Sequence, residues 1–300
     1  MSNKTISAKG VNPILPTPFT ETGALDVESL KRLIAYQKGL GVNGVAILGF
    51  MGENDKLSDA ERRTVVQTVV AQAAGGLDVW VGVRALGTMG AVEQCQMAAD
   101  LGANAVFVAP IPIQNDAALY HHFQTVAEAS PVPVMIHDYP ASFGVQLSAE
   151  LIARLGRDGY CPYIKLEDPP VGPKLTKIRE LSNDSVGIFG GLGGFYYLEE
   201  LERGALGIMT GFSFAEVLVQ IFNEFSSGQH EAAAQTFDRY ASLIRYEFQP
   251  KIGLAFRKHV YQRKGIFASN FVRPPKGLSL DAYTAQEFER IVTRCGLSLG

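Results

Sequence analysis

Cysteine is scarce in this chain of 300 residues: Cys95, Cys161 and Cys295 stand far apart and without metal-ligand spacing. That count excludes a disulfide framework and suits a reducing compartment. Charge of one sign is also scarce. Lys and Arg number 27 against 30 Asp and Glu, a net charge of −3, and no basic block occurs. Neither nucleic acid nor an anionic membrane is therefore an expected partner. No apolar run approaches the roughly 18 residues of a membrane span, and the opening MSNKTISAKGVNPILP has no apolar core of signal-peptide type. No cluster of His, Cys, Asp and Glu has the spacing of a metal site. The expectation is a soluble, cytoplasmic protein that needs no metal and no dissociable cofactor.

What is present is apolar surface. Hydrophobic residues make up 47% of the chain, enough to bury a large core. Short, nearly all-apolar runs alternate with amphipathic helical patterns. Strands are expected at 11–19, 44–49, 78–83, 105–110, 132–138, 163–167, 186–191 and 206–212. Helices are expected near 26–40, 58–74, 88–102, 115–129, 148–157, 172–182, 194–203 and 214–227. Ser58 with Glu61 has the form of a capping box, and Ser148 precedes AELIARL. Strands that are apolar on both faces belong to a parallel sheet covered on both sides. Eight βα units predict an α/β fold, a (β/α)8 TIM barrel, over residues 1–228. A doubly wound open sheet is the alternative, weakened by the lack of a G-x-G-x-x-G turn after the first strand. The β signal then stops, and 229–300 reads as a C-terminal three-helix extension.

One residue fits this pattern badly. In CPYIKLEDPP, Lys165 lies inside an apolar strand, where an unpaired ammonium is costly and the pKa falls instead. Lys31, Lys38, Lys56, Lys174, Lys177 and Lys258 fall in helical or loop patterns where water is expected. Lys165 could pair with Glu167 or Asp168. A desolvated amine at the carboxyl end of a barrel strand also suits a nucleophile that forms a Schiff base with a ketone. GFMGEN after the second strand is either an anion cradle of backbone N–H groups or a plain turn. GGLGG after the seventh is either a phosphate site or close helix–strand packing. His137 ends the fifth strand, as a core histidine or as an acid/base group beside the lysine.

The order of these motifs resembles the dihydrodipicolinate synthase/N-acetylneuraminate lyase family of Schiff-base barrels over nearly the whole length. GFMGE is similar to that family's G-[ST]-T-G-E turn, HDYPASFG to its Y-N-x-P-x-x-x-G segment, and YIKLED holds Lys165 in the place of the family's lysine. His137 and Lys165 stand 28 residues apart, the family's interval between catalytic tyrosine and lysine. AALYHHFQTVAE and LERGALGIMTG also resemble family segments. The resemblance implies a 2-keto acid as the small-molecule partner and a homo-oligomer, tetramer or dimer. It implies a substrate site of Gly49, Phe50, Met51, Gly52, Glu53, Gly191, Met209 and Thr210 around catalytic Lys165 and His137.

The departures concern the hydroxyl groups. Phe50 and Met51 replace the family's hydroxyl residues, Pro112 stands for its relay tyrosine, His137 for the tyrosine over the Schiff base, and Ser142 for its carboxylate-gripping arginine. With the hydroxyl relay and the clamp gone, dihydrodipicolinate synthesis is not expected. The retained lysine and Gly-x-x-Gly-Glu turn suffice to bind a 2-keto acid, its carboxylate on N–H groups near Met51 and Gly52. The leading expectation is dehydration of a 2-keto-3-deoxy sugar acid, with protonated His137 or a water it orients as the acid. A pyruvate-releasing aldolase or hydratase-aldolase, and a keto-acid-binding barrel without turnover, are the alternatives.

Overall fold

The computed structural model describes residues 6, 8–275 and 278–300. Eight parallel strands follow one another around a barrel: β1 (Gly10–Val11), β2 (Gly44–Ile47), β3 (Asp78–Val83), β4 (Ala105–Val108), β5 (Val134–Asp138), β6 (Tyr163–Leu166), β7 (Gly187–Gly190) and β8 (Gly207–Ile208). From β2 to β8 each pairs with the next in sequence, and β1 pairs with β8. A parallel bridge between Ile14 and Ala46 joins the segment after β1 to β2 and closes the cylinder. The fold is a (β/α)8 TIM barrel.

The outer layer consists of α1 (Val27–Gly39), α2 (Asp59–Ala73), α3 (Thr88–Asp100), α4 (Asp116–Ala129), a single turn α5 (Pro140–Phe143), α6 (Ala149–Arg157), α7 (Val171–Ser182), α8 (Tyr197–Glu202) and α9 (Ala215–Ser226). Then come α10 (His230–Glu247), α11 (Gly253–Arg263) and α12 (Ala282–Arg294). The starts are those the caps predict: Ser58 accepts from the Glu61 N–H while Glu61 reaches back to Ser58, and Ser148 accepts from the Leu151 N–H. The strands are shorter than their apolar runs, because each run continues into the turn that buries its loop. The turn α5, with Pro140 as its first residue and Gly144 at positive φ after it, was not visible as a helix in the pattern.

Two apolar layers result. Ile14, Ala46, Trp80, Ala105, Phe107, Met135, Phe189 and Met209 fill the barrel interior. Val and Ile of the opposite strand faces pack on the helices, and this layer continues into α10, α11 and α12 through Leu243, Ile244, Phe256 and Phe288. The filled interior leaves no pore, so chemistry is confined to the carboxyl-end mouth.

Candidate active site

The mouth is built on the β5–β6 ladder. His137 and Lys165 are register partners, so both side chains point into the barrel at the same level. Lys165 is 2% exposed and His137 4%, and Lys165 Nζ lies 3.1 Å from His137 Nε2. Glu167, two residues beyond Lys165 on the same face, is 5% exposed. Its Oε2 contacts Lys165 Nζ and lies 3.1 Å from His137 Nε2.

Burial pushes the Lys165 amine well below the ordinary lysine range; the Glu200 carboxyl opposes this and the Arg257 guanidinium adds to it. The amine is buried, and that burial favours its neutral form. Burial also holds His137 well below its usual value, and the Arg84 guanidinium adds to this. That weighs against an imidazolium near neutral pH and favours His137 as a hydrogen-bond partner.

Glu167 was weighed in the sequence only as a neutralising partner, yet it is the group that touches both members of the pair. Its other oxygen, Oε1, accepts from the Leu192 N–H at 2.9 Å. Leu192 lies in the glycine-rich turn after β7, where Leu192, Gly193 and Gly194 all take positive φ. A Cβ on Gly191 would sit 2.3 Å from Glu167 Cγ. The GGLGG turn is thus shaped around an internal carboxylate, and Gly191 lets Glu167 approach.

A narrow cavity covers the cluster, lined by Phe50, Met51, His137, Tyr139, Lys165, Glu167, Thr210 and Arg257 among others. Met209 is instead a fully buried member of the interior layer, beneath Thr210. Arg257 is the residue the sequence reading missed most completely. It reaches in from α11, 3% exposed, and its Nε donates to the Gly211 carbonyl. Glu247 of α10 stands 3.3 Å from that nitrogen. Nothing in the KIGLAFRKH pattern separates this arginine from a surface one; only the packing of α11 over the mouth does. Tyr139 and Thr210 also bring hydroxyls to the cavity, neither bonded among the described residues. Hydroxyl groups are absent at the expected relay positions, but not from the site.

The turn after β2 departs from expectation in detail. Phe50–Gly52 forms a 3-10 turn in which the Gly52 N–H donates to the Gly49 carbonyl and the Glu53 N–H to that of Phe50. The unbonded N–H groups are therefore those of Phe50 and Met51, as the start of any such turn leaves them. Glu53 does not line the cavity. It takes positive φ and turns outward, 1% exposed, to Lys258 Nζ, Lys56 Nζ and the Arg273 N–H. This corrects the reading of Lys258 as water-exposed: it is fully buried, its pKa lowered to about 8 by burial against the pull of Glu53. Removing one partner of such a pair costs about 3–5 kcal/mol. Among the described residues no three His, Cys, Asp or Glu side chains gather as a metal-binding group.

The model of the dihydrodipicolinate synthetase family matches residues 7–295. The chain belongs to that family. Relatives of the family include L-2-keto-3-deoxyarabonate dehydratase of Azospirillum brasilense, 30% identical over 91% of this chain and 90% of the relative. They also include 4-hydroxy-tetrahydrodipicolinate synthase of Methanothrix thermoacetophila, 31% identical over 80% of this chain and 82% of the relative. The crystal structure of dihydrodipicolinate synthase from Rhodopseudomonas palustris superposes with a TM-score of 0.91, at 33% identity over 97% of this chain and 99% of the other. These family members are lyases, named both as dehydratase and as synthase, so the family fixes the enzyme class and leaves the reaction to the site.

Proposed function

We propose that this family member is a Schiff-base lyase that dehydrates a 2-keto-3-deoxy sugar acid. The observation that carries the reading is the convergence of Lys165 Nζ, His137 Nε2 and Glu167 Oε2 in one buried cluster. The neutral Lys165 amine attacks the ketone at carbon 2, and water leaves as the iminium forms. The substrate carboxylate sits against the Phe50 and Met51 N–H groups and the Arg257 guanidinium, which Gly211 and Glu247 hold in place.

The iminium makes the carbon 3 protons acidic. Glu167 takes one, giving the enamine, and returns it to the carbon 4 hydroxyl, which departs as water. Hydrolysis of the resulting unsaturated iminium frees Lys165 and the dehydrated keto acid, so the net loss is one water. A neutral His137 with its proton on Nε2 donates to Glu167 and orients it. The named dehydratase relative supports this reading, although synthase relatives match as well.

A second reading has its own observation. Tyr139 lines the same cavity, and a tyrosine hydroxyl could take the carbon 4 proton in a retro-aldol cleavage that releases pyruvate. A coupled pyruvate assay on 2-keto-3-deoxypentonate and -hexonate separates the two. Dehydrated product without pyruvate is expected; stoichiometric pyruvate would establish cleavage. The protein is further proposed to act as a cytoplasmic homo-oligomer, with the barrel at 1–228 and the extension at 229–300 as its two parts.

A further inference from the structure

The cavity over Lys165 has a neighbour that the chemistry above leaves unused. A small hollow opens at the ends of β2, β3 and β4, lined by Gly49, Asn54, Asp55, Gly82 and Arg84 among others. Phe50 and His137 form the wall it shares with the Lys165 cavity. A chain anchored as an imine on Lys165 and extended past His137 and Phe50 would point toward this hollow.

Arg84 is an exposed residue at the rim of this hollow. Its N–H donates to Gln94 Oε1 at 3.1 Å and its carbonyl accepts from Gln94 Nε2 at 3.2 Å, fixing the backbone from α3. The guanidinium carbon lies 4.9 Å from the centroid of Phe50 and 5.8 Å from that of Phe143. Rings on this side position the cation and leave its N–H groups for another partner. Among the described residues Arg84 makes no side-chain hydrogen bond and has no carboxylate within ion-pair distance. Asp55, which lines the same hollow, offsets one positive charge without pairing with it.

We propose that Arg84 anchors a second, distal carboxylate, and that the site takes 2-keto diacids of the aldaric type rather than keto acids ending in a hydroxymethyl group. The planar guanidinium matches a carboxylate in two-point contact. One arginine facing one aspartate suits a monoanionic carboxylate and disfavours a dianionic phosphate ester. The keto acid end and the distal end are then held by different arginines, Arg257 from the extension and Arg84 from the barrel. This proposal rests on imine formation at Lys165, but not on whether dehydration or cleavage follows.

The test therefore reads binding through the imine and not through turnover. Borohydride trapping on Lys165 is titrated with 2-oxoadipate, with 6-hydroxy-2-oxohexanoate and with pyruvate as the short reference, in the parent chain and in Arg84→Gln. Half-maximal trapping is expected at a concentration at least about tenfold lower for 2-oxoadipate than for its hydroxy analogue. In Arg84→Gln the ratio between the two should fall to near one, and Arg84→Lys should restore part of it. Equal concentrations in the parent, or a preference that survives in Arg84→Gln, would overturn the proposal and leave Arg84 a surface cation resting on two rings. Tighter trapping of a keto acid bearing a distal phosphate would also overturn it. A failure of pyruvate itself to be trapped would instead count against the Schiff-base reading.

Discussion

His137 and Lys165 face each other across the β5–β6 ladder as register partners, with Nε2 and Nζ 3.1 Å apart. The ladder fixes the pair before any loop is placed, and Glu167 extends it by one pleat. Three polar side chains are thereby concentrated in an interior that is otherwise Phe, Trp, Met and Ile. Burial then lowers the pKa of both nitrogen bases.

Lys165 should carry the covalent intermediate. Borohydride and pyruvate are expected to leave one adduct on the peptide holding Lys165. Lys165→Ala should fold, give no adduct and lose turnover by about 10⁴-fold or more. Lys174 is the informative control, since it sits near the same rim but is paired with Asp138 at 2.6 Å and Asp168 at 2.8 Å. An adduct there would move the site.

Glu167, rather than His137, should carry the proton. Glu167→Gln is expected to lower kcat by about 10²–10⁴-fold while pyruvate is still trapped on Lys165. His137→Gln, which keeps an N–H for Glu167, should cost less. Because burial holds the imidazole well below its ordinary range, kcat should not fall as pH rises from 6 to 8. A fall over that window that disappears in His137→Gln would restore the imidazolium as the acid.

Arg257 should govern the keto acid end. Arg257→Met is expected to raise the pyruvate concentration for half-maximal trapping by about tenfold or more, with Arg257→Lys partly recovering it. The guanidinium also depresses the Lys165 pKa, so its loss raises that pKa. The acid limb of imine formation should therefore move to higher pH. An unchanged titration and an unshifted limb would show that Arg257 only ties α11 to the barrel.

Glu200 gives a stability signature. It is 1% exposed, and its carboxyl packs against the Gly190–Gly191 backbone. Burial lifts its carboxyl from the ordinary 4.5 to about 8. Between those values the folded chain keeps a proton that the unfolded chain releases, so stability falls as pH rises through that window. Glu200→Gln cannot ionise and should raise Tm at pH 8 relative to the parent, with little change at pH 5. Melting curves that shift in parallel at both pH values would contradict this.

Much of the barrel was legible because its signals are local. Apolar runs fall where β2 through β7 are found, and Ser58, Glu61 and Ser148 mark helix starts by hydrogen bonds within one turn. Lys165 stood out for the same reason: a charged residue among apolar neighbours on a strand needs no distant partner to look costly. The sequence by itself therefore determined the βα alternation, the closed parallel barrel it demands, and the position of the amine.

Only the tertiary structure decided what surrounds that amine. Arg257 comes from α11, and the Leu192 N–H on Glu167 comes from 25 residues away. Lys258 and Glu53 meet across 205 residues. Whether a polar residue faces water, a partner or a substrate depends on which segments the closed sheet brings to one end. The pKa of His137 is lowered by the whole shell that excludes water from it, and no run of neighbours in sequence encodes that shell.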